Sequence, residues 1–439
     1  MAEETLVVLK RRELPESWTL RAFLDSGGYE ALRKALNEMT PEEVIKTVQD
    51  SGLRGRGGAG MGTGLKWSLI PKDSPKPRYI VCNGDEGEPG AFHDRELMEV
   101  DPHALIEGML VAAYAVGAKH CFIYCRGEFI LARDRLDAAI REAYENNYLG
   151  ERILGTDFSC EMVLHRGAGA YICGEETALL ESLEGFRGMP RPRPPFPVTE
   201  GLYACPTVVN NVQSLQAAGQ VVLNGAEWYR QWGTEKSPGT LVCSVSGAVN
   251  DPRNVEVPLG TSVDDVLELC GGVDDRGMKA FAPGGWSTPM LPADKIDATM
   301  DYEGMIAAGS VLGASSIIVV PNDTCIVRAV WRGSKFYSHE SCGKCTPCRE
   351  GTYWVERILE RIETGRGTPG DVDRLARVND GMSGFKSLCA LAEFAAGPVG
   401  SSIKHFRDEY EEHIKLGACP LSERVEAAPR RSEAEAQKA

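Results

Sequence analysis

The stretch Tyr79-Ile80-Val81-Cys82-Asn83-Gly84-Asp85-Glu86-Gly87-Glu88-Pro89-Gly90 decides the fold class of this chain. It opens with four residues typical of a short buried strand and continues with polar residues and glycines typical of a turn. Further along, residues 105–116 and 130–144 have the patterns of helices, and residues 121–124 that of a second buried strand. Strands and helices that alternate in this way predict an α/β domain with a largely parallel sheet.

The regions on either side of this domain differ from it in pattern. Residues 1–64 are mostly helical, and Thr40-Pro41-Glu42-Glu43 predicts a helix start with a capping box. The predicted organisation is a helical segment at 1–64, the α/β domain at 65–231, a small α+β domain at 232–323, a helical domain at 324–420 and a disordered tail at 421–439.

Length, composition and charge exclude several classes of protein. A chain of 439 residues can form roughly two to four domains. Its 43% hydrophobic and 25% charged residues are ordinary for a soluble globular protein and exclude disorder over most of the chain. The net charge of −15 repels a phosphate backbone, so no nucleic-acid partner is expected. The 48 glycines exceed the usual share of roughly 7% and indicate backbone that approaches a ligand closely.

We expect a cytosolic protein without its own membrane span. The most apolar stretch, residues 104–118, includes Glu107 and is shorter than the roughly 20 apolar residues that a span needs. The N-terminus, Met1-Ala2-Glu3-Glu4, lacks the basic and apolar regions of a signal peptide. In the cytosol the 14 cysteines stay reduced, so clustered cysteines indicate a metal or redox site.

Three cysteines lie close together in Ser341-Cys342-Gly343-Lys344-Cys345-Thr346-Pro347-Cys348. The C-x₂-C-x₂-C spacing is typical of [4Fe–4S] ligands, whereas zinc ribbons pair two separate C-x-x-C motifs. The alternatives are a structural zinc site or three buried core cysteines. For the fourth ligand we favour Cys389 over Cys419, because Cys419 borders the polar tail and would shield a cluster poorly.

Glycines are concentrated in a second motif, residues 52–67, which has seven glycines within thirteen residues. Its backbone N–H groups could surround a phosphate, with Lys66 and the nearby arginines supplying positive charge. It is not a P-loop, because no Gly-Lys-Ser/Thr ends it. It is not the usual dinucleotide fingerprint either, because it precedes the first clear strand. The alternative is a mobile surface loop.

Several motifs occur in an order that resembles a known family. The glycine-rich loop and residues 82–90 are followed by His165-Arg166-Gly167-Ala168-Gly169-Ala170-Tyr171-Ile172-Cys173-Gly174-Glu175-Glu176-Thr177-Ala178-Leu179, then by 193–197, by Val209-Asn210-Asn211-Val212 and by the cysteine cluster. Over residues 17–414 the chain resembles the NADH-binding flavoprotein subunits of respiratory complex I. The resemblance implies FMN, NAD(H) and one [4Fe–4S] cluster. It also implies a Rossmann-like FMN domain, a ubiquitin-like (β-grasp) domain and a C-terminal four-helix iron–sulfur domain.

The resemblance assigns cofactor contacts to particular residues of this sequence. The FMN phosphate would be held by Gly55, Arg56, Gly57, Gly58, Ala59, Gly60 and Lys66. The flavin would be lined by Asn83, Asp85, Tyr171, Gly174, Glu175, Asn210 and Asn211. Further cofactor-binding residues would be Glu86, Arg193, Val209 and Ser214, and Phe196 would flank the dinucleotide. The iron ligands would be Cys342, Cys345, Cys348 and Cys389.

Glu88 and Glu176 are the catalytic candidates. By the resemblance, Glu88 stands near the nicotinamide and Glu176 accepts hydrogen bonds from ribose hydroxyls of NADH. This agrees with their chemistry, because carboxylates suit hydroxyls and carboxamides better than phosphates. The alternative for any isolated glutamate is a solvated surface residue.

The predicted activity is NADH oxidation by hydride transfer to FMN, followed by single-electron transfer to the cluster. The expected partners are a thioredoxin-like [2Fe–2S] subunit and a large multi-cluster iron–sulfur subunit of complex I, an NADH–quinone oxidoreductase. The chain would be a peripheral subunit on the cytoplasmic side of the inner (plasma) membrane, touching the membrane only through other subunits. The alternatives are a diaphorase subunit of an NAD-dependent hydrogenase or formate dehydrogenase, and a zinc-stabilised nucleotide-binding adaptor.

Overall fold

The structure is a computed structural model that describes residues 4–422. Before the first strand lie four helices: α1 (Leu20–Asp25), α2 (Glu30–Glu38), α3 (Pro41–Asp50) and α4 (Thr63–Ser68). The first sheet and its helices are β1 (Tyr79–Gly84), α5 (His93–Val100), α6 (Pro102–Val116), β2 (His120–Cys125), α7 (Ile130–Glu145), β3 (Glu161–Arg166), α8 (Glu176–Leu183), α9 (Pro197–Glu200), β4 (Thr207–Asn211), α10 (Val212–Asn224) and α11 (Ala226–Arg230).

The second half of the chain forms another sheet and a group of four helices. The sheet region consists of β5 (Thr240–Gly247), β6 (Asn254–Pro258), α12 (Val263–Glu268), β7 (Ala280–Ala282), β8 (Leu291–Pro292), α13 (Tyr302–Ala308) and β9 (Ser316–Val320). The helices that follow are α14 (Ile326–Glu340), α15 (Thr346–Glu363), α16 (Asp371–Met382) and α17 (Leu391–Leu416).

The first sheet has the strand order β3-β2-β1-β4, and all its pairs are parallel. This confirms the predicted α/β fold class. The strand order reverses direction between β1 and β4, and in such sheets ligands bind at the carboxyl ends of the strands beside that point. Asn83 and Asn211, the register partners of β1 and β4, lie at this edge. The topology therefore positions two polar side chains where a ligand is expected.

Helix α6, the most apolar stretch of the chain, is a core helix. It is buried on nearly every face and packs against α2, α7 and α10. Gly108 permits the close crossing of α10, since a Cβ there would stand 2.1 Å from the carbonyl oxygen of Leu215. Its one acid, Glu107, is buried and accepts a 3.1 Å hydrogen bond from the backbone N–H of Leu32. Within residues 4–422, no helix is long and apolar enough to cross a bilayer.

Helix α3 begins with the capping box that the sequence predicts. Thr40 Oγ1 accepts a hydrogen bond from the N–H of Glu43, and Glu43 Oε2 accepts one from the N–H of Thr40. Val44 and Val48 are buried on the inner face of the helix. The capping box stabilises the first turn of α3, and the glycine-rich loop follows the C-terminal end of this helix.

The second sheet has the order β6-β5-β9-β7-β8 and is mixed. β5 and β9 are parallel at its centre, and the remaining pairs are antiparallel. Ser262 caps α12 by accepting a hydrogen bond from the N–H of Asp265. This is the small α+β region expected between the first sheet and the C-terminal helices.

Helices α14–α17 pack around one apolar core, so the C-terminal region is a four-helix arrangement as expected. The apolar stripe of α15 is buried, and it consists of Val355, Ile358, Leu359 and Ile362. Apart from its first two residues, the tail predicted at 421–439 lies outside the described residues.

Candidate functional site

Polar groups from five segments meet at the carboxyl ends of β1 and β4. Asn83 Nδ2 donates a 2.8 Å hydrogen bond to the carbonyl oxygen of Gly174. Asn211 Nδ2 donates to Asp94 Oδ2 at 2.8 Å, and its Oδ1 accepts from the N–H of Ser214 at 2.9 Å. The first contact joins β1 to the segment before α8, and the others join β4 to α5 and α10. The structure thus brings together the predicted site residues of both asparagine motifs.

The glycine-rich loop, residues 52–67, packs on this edge with a defined shape. The N–H of Gly55 donates to the carbonyl oxygen of Met61 at 2.7 Å and closes the loop. A Cβ at Gly57 would stand 3.1 Å from Asn211 Cβ, and one at Gly60 would stand 2.4 Å from the Tyr302 ring. Gly60 also has φ +65°, a conformation that favours glycine. The alternative of a mobile surface loop therefore does not fit the packing.

The position of the Arg56 side chain contradicts the expectation that the arginines of the loop supply positive charge to a phosphate. Its guanidinium is buried and donates to the carbonyl oxygens of Thr240 and Pro238 and to the hydroxyl of Tyr229. Carbonyl oxygens in the interior need donors, and the guanidinium satisfies several of them at once. Its backbone N–H instead donates to Ser214 Oγ at 2.8 Å, beside the asparagines. Only the backbone of Arg56 is left to contribute to the site.

Arg54 is also bound to the protein rather than to the open face of the loop. Its guanidinium carbon lies 3.7 Å from the centre of the Tyr302 ring, and its Nε donates to the carbonyl oxygen of Gly60 at 2.9 Å. Nη1 forms a 2.8 Å ion pair with Glu303. The two arginines thus hold the shape of the loop.

Lys66, Glu175, Glu176 and Arg193 form one network of ion pairs. Lys66 Nζ donates to Glu176 Oε2 at 2.9 Å and to the carbonyl oxygen of Val209 at 2.8 Å. Arg193 reaches Glu176 Oε1 at 3.1 Å and Glu175 Oε1 at 2.7 Å. The other oxygen of Glu175 accepts backbone N–H groups at the start of α8. Each carboxylate is thereby fixed by a cation. The side chain of Phe196, at the start of α9, is not part of this network and is 53% exposed.

Glu88 lies in a polar pocket built by residues that are distant in sequence. Its Oε1 accepts from the N–H of Ser287 at 2.7 Å, and its Oε2 accepts from the hydroxyl of Tyr171 at 2.9 Å. The hydroxyl of Tyr337 lies 3.5 Å from Oε1. Burial raises the pKa of Glu88 to about 7, and these hydrogen bonds oppose the rise. The sequence predicted Glu88 and Tyr171 but not Ser287 or Tyr337, which no local pattern marks.

Glu88→Gln is expected to stabilise the chain in a pH-dependent way. Between pH 4.5 and about 7 the unfolded chain loses the Glu88 proton while the folded chain keeps it, so the wild type loses stability as pH rises. The glutamine side chain of the variant does not titrate in this range. The free energy of unfolding of the variant should therefore exceed that of the wild type by an amount that grows over this window and levels off above pH 7, at no more than about 3 kcal/mol. Thermal melts of both proteins from pH 5 to 8 measure it, and a difference that does not change with pH would contradict the buried carboxyl.

Two buried carboxylate oxygens at this edge lack a hydrogen-bond partner. They are Asp85 Oδ2 and Asp94 Oδ1, and burial raises the pKa of each carboxyl to about 7. Such unpaired acceptors are costly in an interior unless a ligand supplies donors. The hydroxyls and ring N–H of FMN are donors of this kind, so the site fits the cofactor that the sequence predicts. Glu86, by contrast, accepts from the N–H groups of Asp94 and Arg95 at 3.0 Å and caps α5.

Two aromatic residues that are not among the predicted site residues also shape the site. Trp67 Nε1 donates to Asn210 Oδ1 at 2.9 Å and fixes that predicted side chain. The hydroxyl of Tyr302 donates to the carbonyl oxygen of Gly55 at 2.6 Å. Trp67 was within the glycine-rich motif and could have been noticed, whereas Tyr302 lies in a different part of the chain and gives no local signal.

The four predicted iron ligands lie in the loops at one end of the helical region. Cys342 follows α14, Cys345 directly precedes α15, and Cys348 is in the first turn of α15, while Cys389 lies just before α17. Burial, together with the neighbouring charges of Glu175, Cys348 and Cys342, raises the pKa of the Cys389 thiol to about 12. All four cysteines pack against the same apolar core. Four thiols in this arrangement fit a [4Fe–4S] cluster.

Cys419, the rival fourth ligand, lies in a different place. Its sulfur is within 4.8 Å of ligating atoms of Cys325, Glu363 and His413. Cys325 caps the beginning of α14, and Cys342 follows its end, so the 15 residues of the helix separate the two groups by about 22 Å. This geometry favours Cys389 as the fourth ligand.

A hydrogen bond connects the segment that contains Tyr171 to α14, the helix that leads to the cysteines. Glu340, the last residue of α14, accepts the N–H of Tyr171 at 3.0 Å through its Oε2. The ring of Tyr171 packs edge-on against Tyr337 in the same helix. The segment around the Glu88 pocket therefore contacts the helix that ends at Cys342.

Comparison with protein families identifies three regions of the chain. Residues 48–220 match the Nuo51 FMN-binding domain, and residues 328–413 match the NADH-ubiquinone oxidoreductase-F iron-sulfur binding region. Residues 242–290 match the SLBB domain. The first region contains the glycine-rich loop and both asparagine motifs, and the second contains all four predicted iron ligands. These matches confirm FMN and the [4Fe–4S] cluster as the cofactors.

Close relatives and solved structures agree with these matches. The chain is 52% identical to the F subunit of NADH-quinone oxidoreductase of Mycobacterium tuberculosis (strain ATCC 25618 / H37Rv) over 96% of each chain. It is 52% identical to the F subunit of Streptomyces coelicolor (strain ATCC BAA-471 / A3(2) / M145), over 92% of this chain and 90% of that one. It is also similar to a chain in the crystal structure of NAD+-reducing [NiFe]-hydrogenase in the air-oxidized state, with a TM-score of 0.80 and 36% identity over 94% of this chain and 67% of that one. This chain belongs to the family of NADH-quinone oxidoreductase F subunits.

Proposed function

We propose that this chain is the electron-input subunit of an NADH–quinone oxidoreductase. The observation that supports it best is the connection between two sites, a polar pocket at the carboxyl edge of the parallel sheet and four thiols at the end of α14. The diaphorase alternative has a structural neighbour at 36% identity, whereas relatives named as NADH-quinone oxidoreductase F subunits reach 52%. We therefore favour the quinone-linked enzyme.

The glycine-rich loop and the asparagines hold the FMN in this proposal. Gly57 packs against Asn211, so the loop and the end of β4 form one wall, and Asp85, which directly follows β1, has one buried carboxylate oxygen without a partner. Bound FMN would supply the chemistry that joins two-electron and one-electron transfer, since a flavin can take up a hydride and release electrons singly. The residues of the chain position the two rings and exclude water. Cys342, Cys345, Cys348 and Cys389 hold the cluster that receives the electrons.

NADH binds along the exposed side of the same pocket. Glu176 accepts hydrogen bonds from the ribose hydroxyls, and Lys66 and Arg193 fix its carboxylate for this role. Phe196 offers an exposed aromatic face to the dinucleotide. Glu88, held by Tyr171 and Ser287, stands near the nicotinamide and can hold or release a proton close to neutral pH.

The electrons leave through partner subunits. Within residues 4–422 the four cysteines form one cluster site, so an external acceptor is needed for turnover. We propose that the electrons pass from this chain to a thioredoxin-like [2Fe–2S] subunit and a large multi-cluster iron–sulfur subunit. The chain then lies on the cytoplasmic side of the inner membrane and contacts the membrane only through other subunits. The functional division is 65–231 for FMN and NADH, 232–323 for the ubiquitin-like region and 324–420 for the cluster.

The partner requirement gives a direct test of this function. The purified holoprotein should oxidise NADH with ferricyanide, which accepts single electrons, and should not reduce quinone alone. Quinone reduction should appear when membranes that contain the other complex I subunits but lack this chain are added. Quinone reduction by the chain alone, or ferricyanide reduction without NADH specificity, would contradict the proposal.

Glu176→Gln is expected to narrow the preference for NADH over NADPH. In the wild type, the carboxylate of Glu176 repels the 2′-phosphate of NADPH. The variant removes this negative charge and leaves Lys66 and Arg193 free to attract the phosphate. The ratio of kcat/KM for the two cofactors should fall roughly tenfold, which corresponds to about 1.4 kcal/mol. Steady-state ferricyanide assays with both cofactors measure it.

Glu181→Gln is the matched control. It removes the same charge from the same helix, α8, and its ion pair is with Arg191 instead. This variant should keep the wild-type preference. An equal change in the preference for NADH over NADPH in both variants would show that any negative charge on α8 has this effect and that Glu176 does not bind the ribose.

A further inference from the structure

Four metal-ligating side chains converge at the end of the helical region that is remote from the iron ligands. They are Cys325 at the beginning of α14, Glu363 at the end of α15, His413 near the end of α17 and Cys419 beyond it. All four side chains are buried, with 1–6% of each residue exposed. Their ligating atoms all lie within 4.8 Å of one another. The established cofactors do not use any of these residues.

The distances within this group match those around a single tetrahedral ion. A zinc ion with sulfur ligands at about 2.3 Å and nitrogen or oxygen ligands at about 2.0–2.1 Å holds its ligand atoms about 3.3–3.8 Å apart. Cys325 Sγ lies 3.3 Å from His413 Nε2 and 3.7 Å from Glu363 Oε2. His413 Nε2 lies 3.4 Å from Glu363 Oε2. A four-iron cluster needs four ligands spread around its larger body, so this group is too tight to hold one.

The surroundings of the group orient its ligands. His413 Nδ1 lies 2.6 Å from the carbonyl oxygen of Glu409, and a hydrogen bond there turns Nε2 towards the other three ligands. Glu363 Oε1 is held by Arg328 Nε at 2.5 Å, which leaves Oε2 for the group. The N–H of Arg328 also lies 3.3 Å from Cys325 Sγ, an arrangement that favours a thiolate. Metal-ligating histidines and carboxylates commonly have partners of this kind.

We propose that Cys325, Glu363, His413 and Cys419 bind a structural zinc ion. Two thiolates, an imidazole and a carboxylate suit the borderline-soft Zn²⁺, and a closed set of four protein ligands is typical of structural sites. Two thiolates, one carboxylate and Zn²⁺ carry a net charge of −1, which the guanidinium of Arg328 balances. The ion joins the beginning of α14, the end of α15 and the segment after α17. It therefore closes the four-helix region at the end opposite the iron–sulfur cluster.

The test is metal analysis of the full-length holoprotein, purified anaerobically without a metal-binding tag. The wild type should contain about one zinc per chain together with the four irons of its cluster. Cys419→Ser and His413→Gln should each reduce zinc to less than about a tenth of the wild-type content while iron and FMN are retained. Cys270→Ser, which removes a buried cysteine of the second sheet, is the control and should keep its zinc.

X-ray absorption at the zinc edge of the wild type keeps the proposal testable if the variants do not fold. Two sulfur atoms at about 2.3 Å and two nitrogen or oxygen atoms at about 2.0–2.1 Å are expected. Wild-type protein without zinc would overturn the proposal, as would a fifth iron in place of zinc or a coordination shell of four sulfurs. So would folded Cys419→Ser and His413→Gln proteins that keep full zinc.

Discussion

Replacing Cys389 with alanine is expected to abolish the iron–sulfur cluster or leave it labile. The substitution removes one of the four thiols that pack together at the end of α14, and the three others lie in a single short loop and cannot enclose a cubane. Iron should fall from about four atoms per chain towards zero, and the visible absorption of the cluster should disappear. NADH should still reduce the bound FMN, because the polar pocket keeps its residues.

Cys419→Ala is the control for this experiment. Cys419 lies beside Cys325, Glu363 and His413, a helix length away from Cys342, so its loss should leave iron content unchanged. Iron and absorption are measured on anaerobically purified proteins. Equal iron loss in both variants, or full iron in Cys389→Ala, would defeat the ligand assignment.

Gly60→Ala is expected to weaken FMN binding by at least about tenfold. Gly60 has φ +65°, which costs an L-residue about 1–2 kcal/mol, and a Cβ there would stand 2.4 Å from the ring of Tyr302. The loop must change shape or displace that ring, whose hydroxyl donates to the carbonyl oxygen of Gly55. A factor of ten corresponds to about 1.4 kcal/mol, within the strain expected from the backbone alone. Quenching of FMN fluorescence on titration with the apoprotein measures the Kd.

Gly62→Ala provides a matched control in the same loop. Gly62 has φ −57°, and a Cβ there would lie 3.5 Å from its nearest neighbour, which is ordinary van der Waals contact. Its FMN affinity should stay within about twofold of wild type. Unchanged iron content in Gly60→Ala would show that the variant is folded. If folded Gly60→Ala binds FMN as tightly as Gly62→Ala, the loop does not hold the cofactor.

Local chemistry explains which elements of the fold the sequence could predict. The capping box at Thr40, the apolar run of β1 and the stripe of α15 each depend on residues within a few positions of one another. β3 was not identified, because Glu161–Arg166 lies at the edge of the sheet, where mixed polar and apolar residues conceal the strand pattern. β4 is only five residues long and ends in asparagines that belong to the site.

Long-range contacts explain what the sequence could not reveal about the site. Glu88 is held by Ser287, a residue 199 positions away, and no spacing or periodicity joins the two. Arg56 lies in a motif typical of phosphate binding, yet interior carbonyl oxygens from a distant loop bind its guanidinium. The asparagines and the iron ligands were predictable because each belongs to a local sequence motif, and the fold places these motifs where the prediction expects a site. Their exact contacts with FMN, NADH and iron stay predictions.

Anaerobic titration of the purified holoprotein with NADH tests whether this chain passes electrons from NADH through FMN to its cluster. The protein should contain one FMN and one four-iron cluster per chain, with overlapping flavin and cluster bands in its visible spectrum. NADH should bleach the flavin absorption rapidly, and low-temperature electron paramagnetic resonance should then detect a reduced cluster, whereas NADPH should act much more slowly. A colourless protein, or a flavin that stays oxidised in excess NADH, would contradict the account.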